Sequence, residues 1–336
     1  MTVGSMSHEE FRFKPTASLA TLQQRSHLLS EIRKFFEDRE FVHVETPLLS
    51  RDTVVDRYID PVPIDESSVL DGGGEDKGFF LQTSPEFAMK RLLASGATSI
   101  YQICKAFRKG EAGRRHNPEF TMLEWYRVGD DMNAGIKLLC EFARHVFQKA
   151  RIETISYADA FVKFAGVHPH LATLEDFQSV CESNGVDASS FAEVQDRDMW
   201  LNLIMSEIVE PKLGSPDPMV VFHFPASQSA LAKVCTTADG HEVAERFELY
   251  VNGVELANGY HELLDADELK NRNRKVNAQR VNDGRDPLPP DSELLNAMRH
   301  GLPACSGVAL GIDRLMMVLF EKDSIDEVIA FPIDRA

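Results

Sequence analysis

Phe247-Glu248-Leu249-Tyr250-Val251-Asn252-Gly253-Val254-Glu255-Leu256-Ala257 reads as two alternating strands closed by Asn-Gly. That dipeptide accepts the positive-φ pair of a two-residue hairpin turn, whose twist matches the strands on either side. With Asn252-Gly253 as the loop, Val251 pairs with Val254, Tyr250 with Glu255 and Glu248 with Ala257. Glu248 and Glu255 then share one face as diagonal neighbours, about 7–8 Å apart between backbones. Two carboxylates so placed can hold a Mg²⁺ that bridges to phosphate oxygens, although a solvated face would tolerate them equally well. The hairpin makes the sheet antiparallel at its centre, and the rest of the chain is read outward from it.

Apolar residues at Leu22, Leu29, Ile32, Phe35 and Phe36 give a long helix over 19–38, followed by a strand over 41–45 that Pro47 stops. Residues 1–17 read as a mobile lead-in, and Gly72-Gly73-Gly74 as a loop without the Lys-Ser/Thr ending of a phosphate loop. Strands are expected at 79–83, 99–107 and 120–127, with Ser84-Pro85-Glu86 opening a helix that Gly96 ends. Helical patterns at 132–150, 156–165, 173–184 and 198–210 suggest a helical insertion over about 130–215. Strands return at 220–224, 246–251, 254–258 and 308–310, with helices at 265–282, 291–300 and 313–320. Hairpins with helices inserted in blocks are not the β-α-β alternation of a doubly wound fold. The expectation is an α+β fold, an antiparallel sheet flanked by helices, in one domain over 18–336.

Composition narrows the function. The 336 residues carry 36 Lys and Arg against 53 Asp and Glu, a net charge of −17, which disfavours non-specific nucleic-acid binding. No run of 18 apolar residues offers a membrane span, and the start lacks a basic-then-apolar signal pattern, so a cytoplasmic protein is expected. The five cysteines form no C-x-x-C pair, and neither His-Glu dipeptide extends to H-E-x-x-H; disulfide frameworks and common zinc sites are disfavoured.

Three further stretches carry chemistry. On the strand over 120–126, Phe120, Met122, Glu124 and Tyr126 share a face, so one carboxylate sits among large apolar groups and requires a cationic partner. An Arg or Lys of the same chain could supply it. The loop over 105–116 holds Lys105, Arg108, Lys109, Arg114 and Arg115 against Glu111, suited to clamping a polyphosphate. Gly311-Ile312-Asp313-Arg314 sets a glycine and an arginine at a strand-to-helix junction, a weak nucleotide signal by itself.

Together these pieces resemble the class II aminoacyl-tRNA synthetases over nearly the whole chain. Phe41-Val42-His43-Val44-Glu45-Thr46-Pro47 is similar to motif 1, Phe107-Arg108 through Glu124 to motif 2, and Gly311-Ile312-Asp313-Arg314-Leu315 to motif 3. Arg115-His116-Asn117-Pro118-Glu119-Phe120-Thr121-Met122-Leu123-Glu124 and Glu255-Leu256-Ala257-Asn258-Gly259 resemble the lysine-specific branch. Motif 1 begins near Leu19, which leaves no room for the anticodon-reading barrel of lysyl-tRNA synthetases. The chain therefore resembles the shortened paralogues that attach (R)-β-lysine to elongation factor P. His223-Phe224-Pro225-Ala226-Ser227-Gln228, the C-terminal Ala330-Phe331-Pro332-Ile333-Asp334-Arg335-Ala336 and Ala309 fit that family.

The resemblance implies ATP as substrate with Mg²⁺ held by Glu248 and Glu255, and catalytic roles for Arg108 and Arg314 on the phosphates. Lys109, Gly110, Glu111, Asn117, Phe120, Leu256 and Gly311 would complete the ATP site. Ser84, Pro85, Glu86, Glu124, Tyr126, Glu262 and Ala309 would take lysine or β-lysine, the carboxylates receiving its amines. Partners implied are elongation factor P as acceptor and a second copy of the chain in a homodimer, with no tRNA. Motif 2 usually has a glutamate where Gly110 stands, with Glu111 one residue later. Strand parity sets Glu262 opposite in facing to Glu255, so a bulge at Asn258-Gly259 is expected to turn it back.

Overall fold

The computed structural model describes residues 13–71, 78–191 and 193–336. Helix α1 (Leu19–Glu37) is capped by Ser18, whose hydroxyl accepts from the Thr21 N–H, and it buries Leu28, Ile32, Phe35 and Phe36 along one face. Three short strands follow, β1 (Val42–His43), β2 (Leu49–Ser50) and β3 (Val62–Ile64), then β4 (Phe79–Leu81), α2 (Glu86–Ala94), β5 (Ser99–Phe107), β6 (Glu119–Val128) and α3 (Met132–Phe147). Next come β7 (Glu153–Ser156), α4 (Tyr157–Ala165), α5 (Leu174–Ser183), α6 (Arg197–Ile204), β8 (Met219–Pro225), β9 (Val234–Thr236), β10 (Glu242–Val251) and β11 (Val254–His261). The chain closes with α7 (Ala266–Asn282), α8 (Glu293–Gly301), β12 (Cys305–Gly311) and α9 (Ile312–Leu319).

The main sheet runs β1-β5-β6-β12-β11-β10-β8-β7, with β9 on β10, and a small sheet pairs β2, β4 and β3. The centre is antiparallel as expected, but the sheet is mixed, since β1 pairs with β5 and β7 with β8 in parallel. Strand β7 had no sequence signal: at four half-buried residues it is too short for a period-2 pattern to stand out. The same holds for β2, β3 and β9, whereas β1 lies within the strand expected over 41–45.

One face of the sheet is covered by α1, α3 and α9. Phe36 stacks on Tyr101 with ring centroids 4.8 Å apart and lies 5.2 Å from Trp125. Side chains of this size, fully buried, each contribute about 1.5–3 kcal/mol. The other face is left open at its centre. It is bordered by α2, α7 and α8 at one end and by a second apolar cluster at the other, in which Tyr157, Phe161, Phe177, Trp200 and Ile204 pack on Met219, Val221 and Tyr250.

The expected mobile lead-in ends earlier than residue 17. Ala17 is buried and the Thr16 N–H donates to Ala330 O at 2.9 Å, while residues 1–12 and the Gly72-Gly73-Gly74 loop lie outside the described residues. All five cysteines are free. Among the described residues, no helix is long and apolar enough to cross a membrane.

Candidate active site

The hairpin turn forms at Asn252-Gly253, both at positive φ (51° and 68°), and Tyr250 pairs with Glu255 as expected. The next pair is Leu249 with Ala257, so Leu256 is an extra residue and Glu248 faces Asn258 rather than Ala257. This bulge, not one at Asn258-Gly259, reverses the parity of the rest of β11. Leu256 and Ala257 both turn into the core, while Asn258, Tyr260 and Glu262 return to the open face that holds Glu255 and Glu248. The expected reversal is real, but it occurs two residues earlier because both Leu256 and Ala257 find apolar burial there.

Two rows of paired residues now cross the open face. One runs Gln102, Glu124, Ala309, Asn258, Glu248 from β5 to β10; the other runs Ile100, Tyr126, Gly307, Tyr260, Arg246. Small residues at the middle strand β12 leave a trough between the long side chains of β6 and those of β10 and β11. Gly307 is required here: a Cβ would lie 2.1 Å from Tyr126 Cε1 and 2.7 Å from Glu262 Oε1. The trough opens into a cavity of about 1190 Å³. Of the sequence-predicted site residues, all but Pro85, Lys109 and Gly110 line it. Lys109 is exposed, and its backbone N–H donates to Asp60 O at 2.8 Å.

The deep end of the cavity is buried and acidic. Glu124 is 1% exposed and accepts from Ser84 Oγ at 2.8 Å and from the Tyr126 hydroxyl at 2.5 Å. The Ser84 hydroxyl also accepts the Glu86 N–H, so this serine fixes the start of α2, although Pro85 rather than Ser84 holds the capping position. Four residues along α2, Lys90 Nζ lies 2.6 Å from Glu86 Oε1 and 2.5 Å from Glu262 Oε2, while Glu262 Oε1 finds no donor among the described residues. Burial, reinforced by the charge of Glu86, outweighs the Tyr126 and Ser84 hydrogen bonds and pushes the Glu124 carboxyl up to about 8. Burial does the same to Glu262, despite Lys90, with Glu86 and Glu124 adding to the rise to about 8. Burial alone would lower Lys90, but Glu262 and Glu86 hold its ammonium above the ordinary range. An ion pair normally lowers its acid; here one cation is shared between carboxylates, and a third stands close by.

The shallow end is polar and partly open. Arg108 lies over the Phe120 ring, 5.0 Å from its centroid, and 3.8 Å from Glu111 Oε1. Glu111, not residue 110, thus faces the cavity. Arg314 rests against the Glu255 carbonyl at 3.2 Å and touches His116. Both ends of the Asn117 amide are engaged, Nδ2 donating to Glu119 O and Oδ1 accepting from the Ile333 N–H, which ties the loop to the C-terminal segment. Glu248 is bonded by Arg246 and by the Tyr250 hydroxyl; burial, partly offset by Arg246, raises its carboxyl. Glu210 enters beside the pair and is pushed up to about 7 by burial and by Glu255 and Glu248.

Sequence reasoning missed several supports. Lys90 was legible as the residue four after Glu86 on one helix face. Arg25 was not: from α1 it reaches Asp313 Oδ1 at 2.6 Å and Thr121 Oγ1 at 2.7 Å, while Asp313 Oδ2 takes the Thr121 N–H. The alternation Gly307-x-Ala309-x-Gly311 was visible as a row of absent side chains.

The family model for "tRNA synthetases class II (D, K and N)" matches residues 8–335. The chain belongs to this class II synthetase family. Among curated proteins it is similar to the elongation factor P--(R)-beta-lysine ligase of Edwardsiella ictaluri, 44% identical over 325 residues, 96% of this chain and 98% of that one. Proteins of the same name from Photobacterium profundum (45% over 324 residues, 96% and 99%) and Yersinia enterocolitica (43% over 329 residues, 98% and 99%) are similar to it as well. Membership in the class II family agrees with the mixed, largely antiparallel sheet and with the placing of the three expected motifs on β1, β6 and the β12–α9 junction.

Proposed function

We propose that this chain is an ATP-dependent ligase that activates (R)-β-lysine, or lysine, as its adenylate and transfers it to the ε-amine of a lysine on elongation factor P. The observation that carries this reading is the trio Glu86, Glu124 and Glu262, buried together with a single internal cation, Lys90. Such a site is short of positive charge, and a diamino acid supplies it. The names of the relatives give the acceptor.

In the first step a carboxylate oxygen of the amino acid attacks the α-phosphorus in line. The bond to the bridging oxygen breaks and pyrophosphate leaves. Arg108 and Arg314 stand on the cavity wall where they can take charge developing on the phosphates. In the second step the neutral acceptor amine attacks the acyl carbon. The amide forms, AMP departs with the ester oxygen, and the ammonium proton passes to water or to a phosphate oxygen. Catalysis on this account is positioning and electrostatics. Among the described residues, no group of three potential ligands could hold a metal, so Glu248 and Glu255 suit a Mg²⁺ carried in on the triphosphate better than a resident ion. Bound there it would neutralise phosphate charge.

A homodimer through α1 and β1 is part of the reading. Leu19 and Val42 are 73% and 60% exposed, apolar side chains that a partner would cover. A cytoplasmic location follows from the acceptor. The test is ATP with labelled (R)-β-lysine or lysine, offered to elongation factor P and to tRNA in parallel. Label on the protein is expected; label on tRNA alone would overturn the acceptor assignment.

A further inference from the structure

The acidic end of the cavity contains one group that no substrate atom needs to touch. Lys90 is 1% exposed, as deep as Glu124 and Glu262, and α2 holds it one turn from Glu86. Its ammonium lies 2.6 Å from one carboxylate and 2.5 Å from another, and 6.0 Å from the centre of the Tyr126 ring. Glu124 stands outside this clamp, held instead by Ser84 and Tyr126. Three carboxylates and one ammonium give a formal charge of −2, Lys90 being the cation paired with Glu86 and Glu262 while Glu124 is held by two hydroxyls. A diamino acid whose carboxylate points to the phosphate end brings two ammonium groups, so the two charges cancel.

We propose that Lys90 is a positioning residue that sets this charge and turns Glu86 and Glu262 toward the substrate, so that the pocket selects amino acids by number of amines. The inference rests on the functional reading above and adds what makes the carboxylate trio selective. Without an internal cation the ionised trio would carry −3, and its buried carboxyls would give up their protons for two ammonium groups only at higher pH. With two internal cations it would need only one more. Lys90 does this without lining the cavity, from a helix whose buried residues also include Phe87, Met89 and Leu93.

The experiment is pyrophosphate exchange with lysine and (R)-β-lysine, read as KM and kcat between pH 6 and 9. In the wild-type protein KM falls with rising pH as the carboxyls lose their protons. In Lys90→Met that limb moves up by one pH unit or more, equivalent to about a tenfold higher KM near neutrality, with kcat changing less than threefold. Lys90→Arg keeps the charge and keeps the limb in place. Lys90→Met combined with Glu262→Gln returns the formal charge to −2; its limb is expected at the wild-type position although KM stays raised, and it carries the test if the single variant does not fold. An unmoved limb in Lys90→Met, or a displaced limb in the double variant, overturns the inference while leaving the functional reading intact. A wild-type protein that activates no diamino acid overturns the functional reading and this inference with it.

Discussion

The two ends of the cavity solve opposite problems with similar residues. At the deep end, Glu124, Glu262 and Lys90 are each 1% exposed, and every contact that holds them comes from the chain itself. At the shallow end, Arg108 and Arg314 keep roughly a quarter of their side-chain surface, and their carboxylate neighbours lie at 3.8 and 3.7 Å, beyond hydrogen-bond length. The deep end is held together by its own hydrogen bonds and ion pairs, and burial raises the Glu124 and Glu262 carboxyls. The shallow end is loosely self-paired. On the proposed reading, selection belongs to the buried end and phosphate chemistry to the exposed one.

The harshest way to break this contrast is to fill the trough. Gly307→Val places carbon against Tyr126 and Glu262, so activation should fall to background and stability by about 1–3 kcal/mol, read by pyrophosphate exchange and thermal melting. Arg314→Ala attacks the other end. It should slow adenylate formation about 10²–10³-fold with an unchanged melting temperature, since the side chain is a quarter exposed and its ion pair loose. A comparable loss of stability would mean that the shallow end is as preformed as the deep one. Glu124→Gln should cost ~1.5–3 kcal/mol in kcat/KM for a diamino acid and leave KM for ATP alone.

Protonation sharpens the contrast further. Because the Glu124 and Glu262 carboxyls are raised to about 8, the folded empty protein holds protons that the unfolded chain has already lost above pH 4.5. Their contribution to stability is therefore fully present below pH 4.5 and fades as pH rises through 8. Melting of the empty protein should show this decline between pH 6 and 8.5, and a saturating diamino acid should remove most of it. Absence of any decline would mean that Glu124 and Glu262 are ionised without substrate. The smallest effect is ionic. Raising salt from 0.05 to 0.5 M should increase KM for ATP a few-fold and KM for the amino acid hardly at all, because only the shallow end is reached by counterions.

The sequence made the antiparallel core legible because its strands are long and its turn residues specific; Asn252-Gly253 alone placed Glu248 and Glu255 on one face. It gave less where local signals are weak. A bulge depends on what the two turned-in residues meet, and nothing around Leu256 announces the packing that receives it. The charged stretch over 270–285 shows a second limit. It reads as a cationic patch fit for docking an acceptor, yet Arg280 is buried against Asp60, Arg285 pairs with the same carboxylate, and Arg272 and Lys270 are held by Glu268 and Asp291. Among the described residues of that run, Arg274 and Lys275 remain as exposed cations outside these ion pairs. For Lys90 the spacing to Glu86 was legible but the burial was not, because a lysine is assumed to be solvated until its neighbours are known.

The contacts of Arg25 also carry a meaning in time. Its partners Thr121 and Asp313 lie 96 and 288 residues along the chain, and the Thr121 N–H waits for a carboxylate 192 residues further on. As the chain emerges during synthesis, α1 and the β5–β6 pair can form early, but the joint that fixes them to the Arg314 helix cannot close until nearly all of the polypeptide has appeared. The Arg314 end of the cavity is thus completed after α2, with its Glu86 and Lys90, has already emerged.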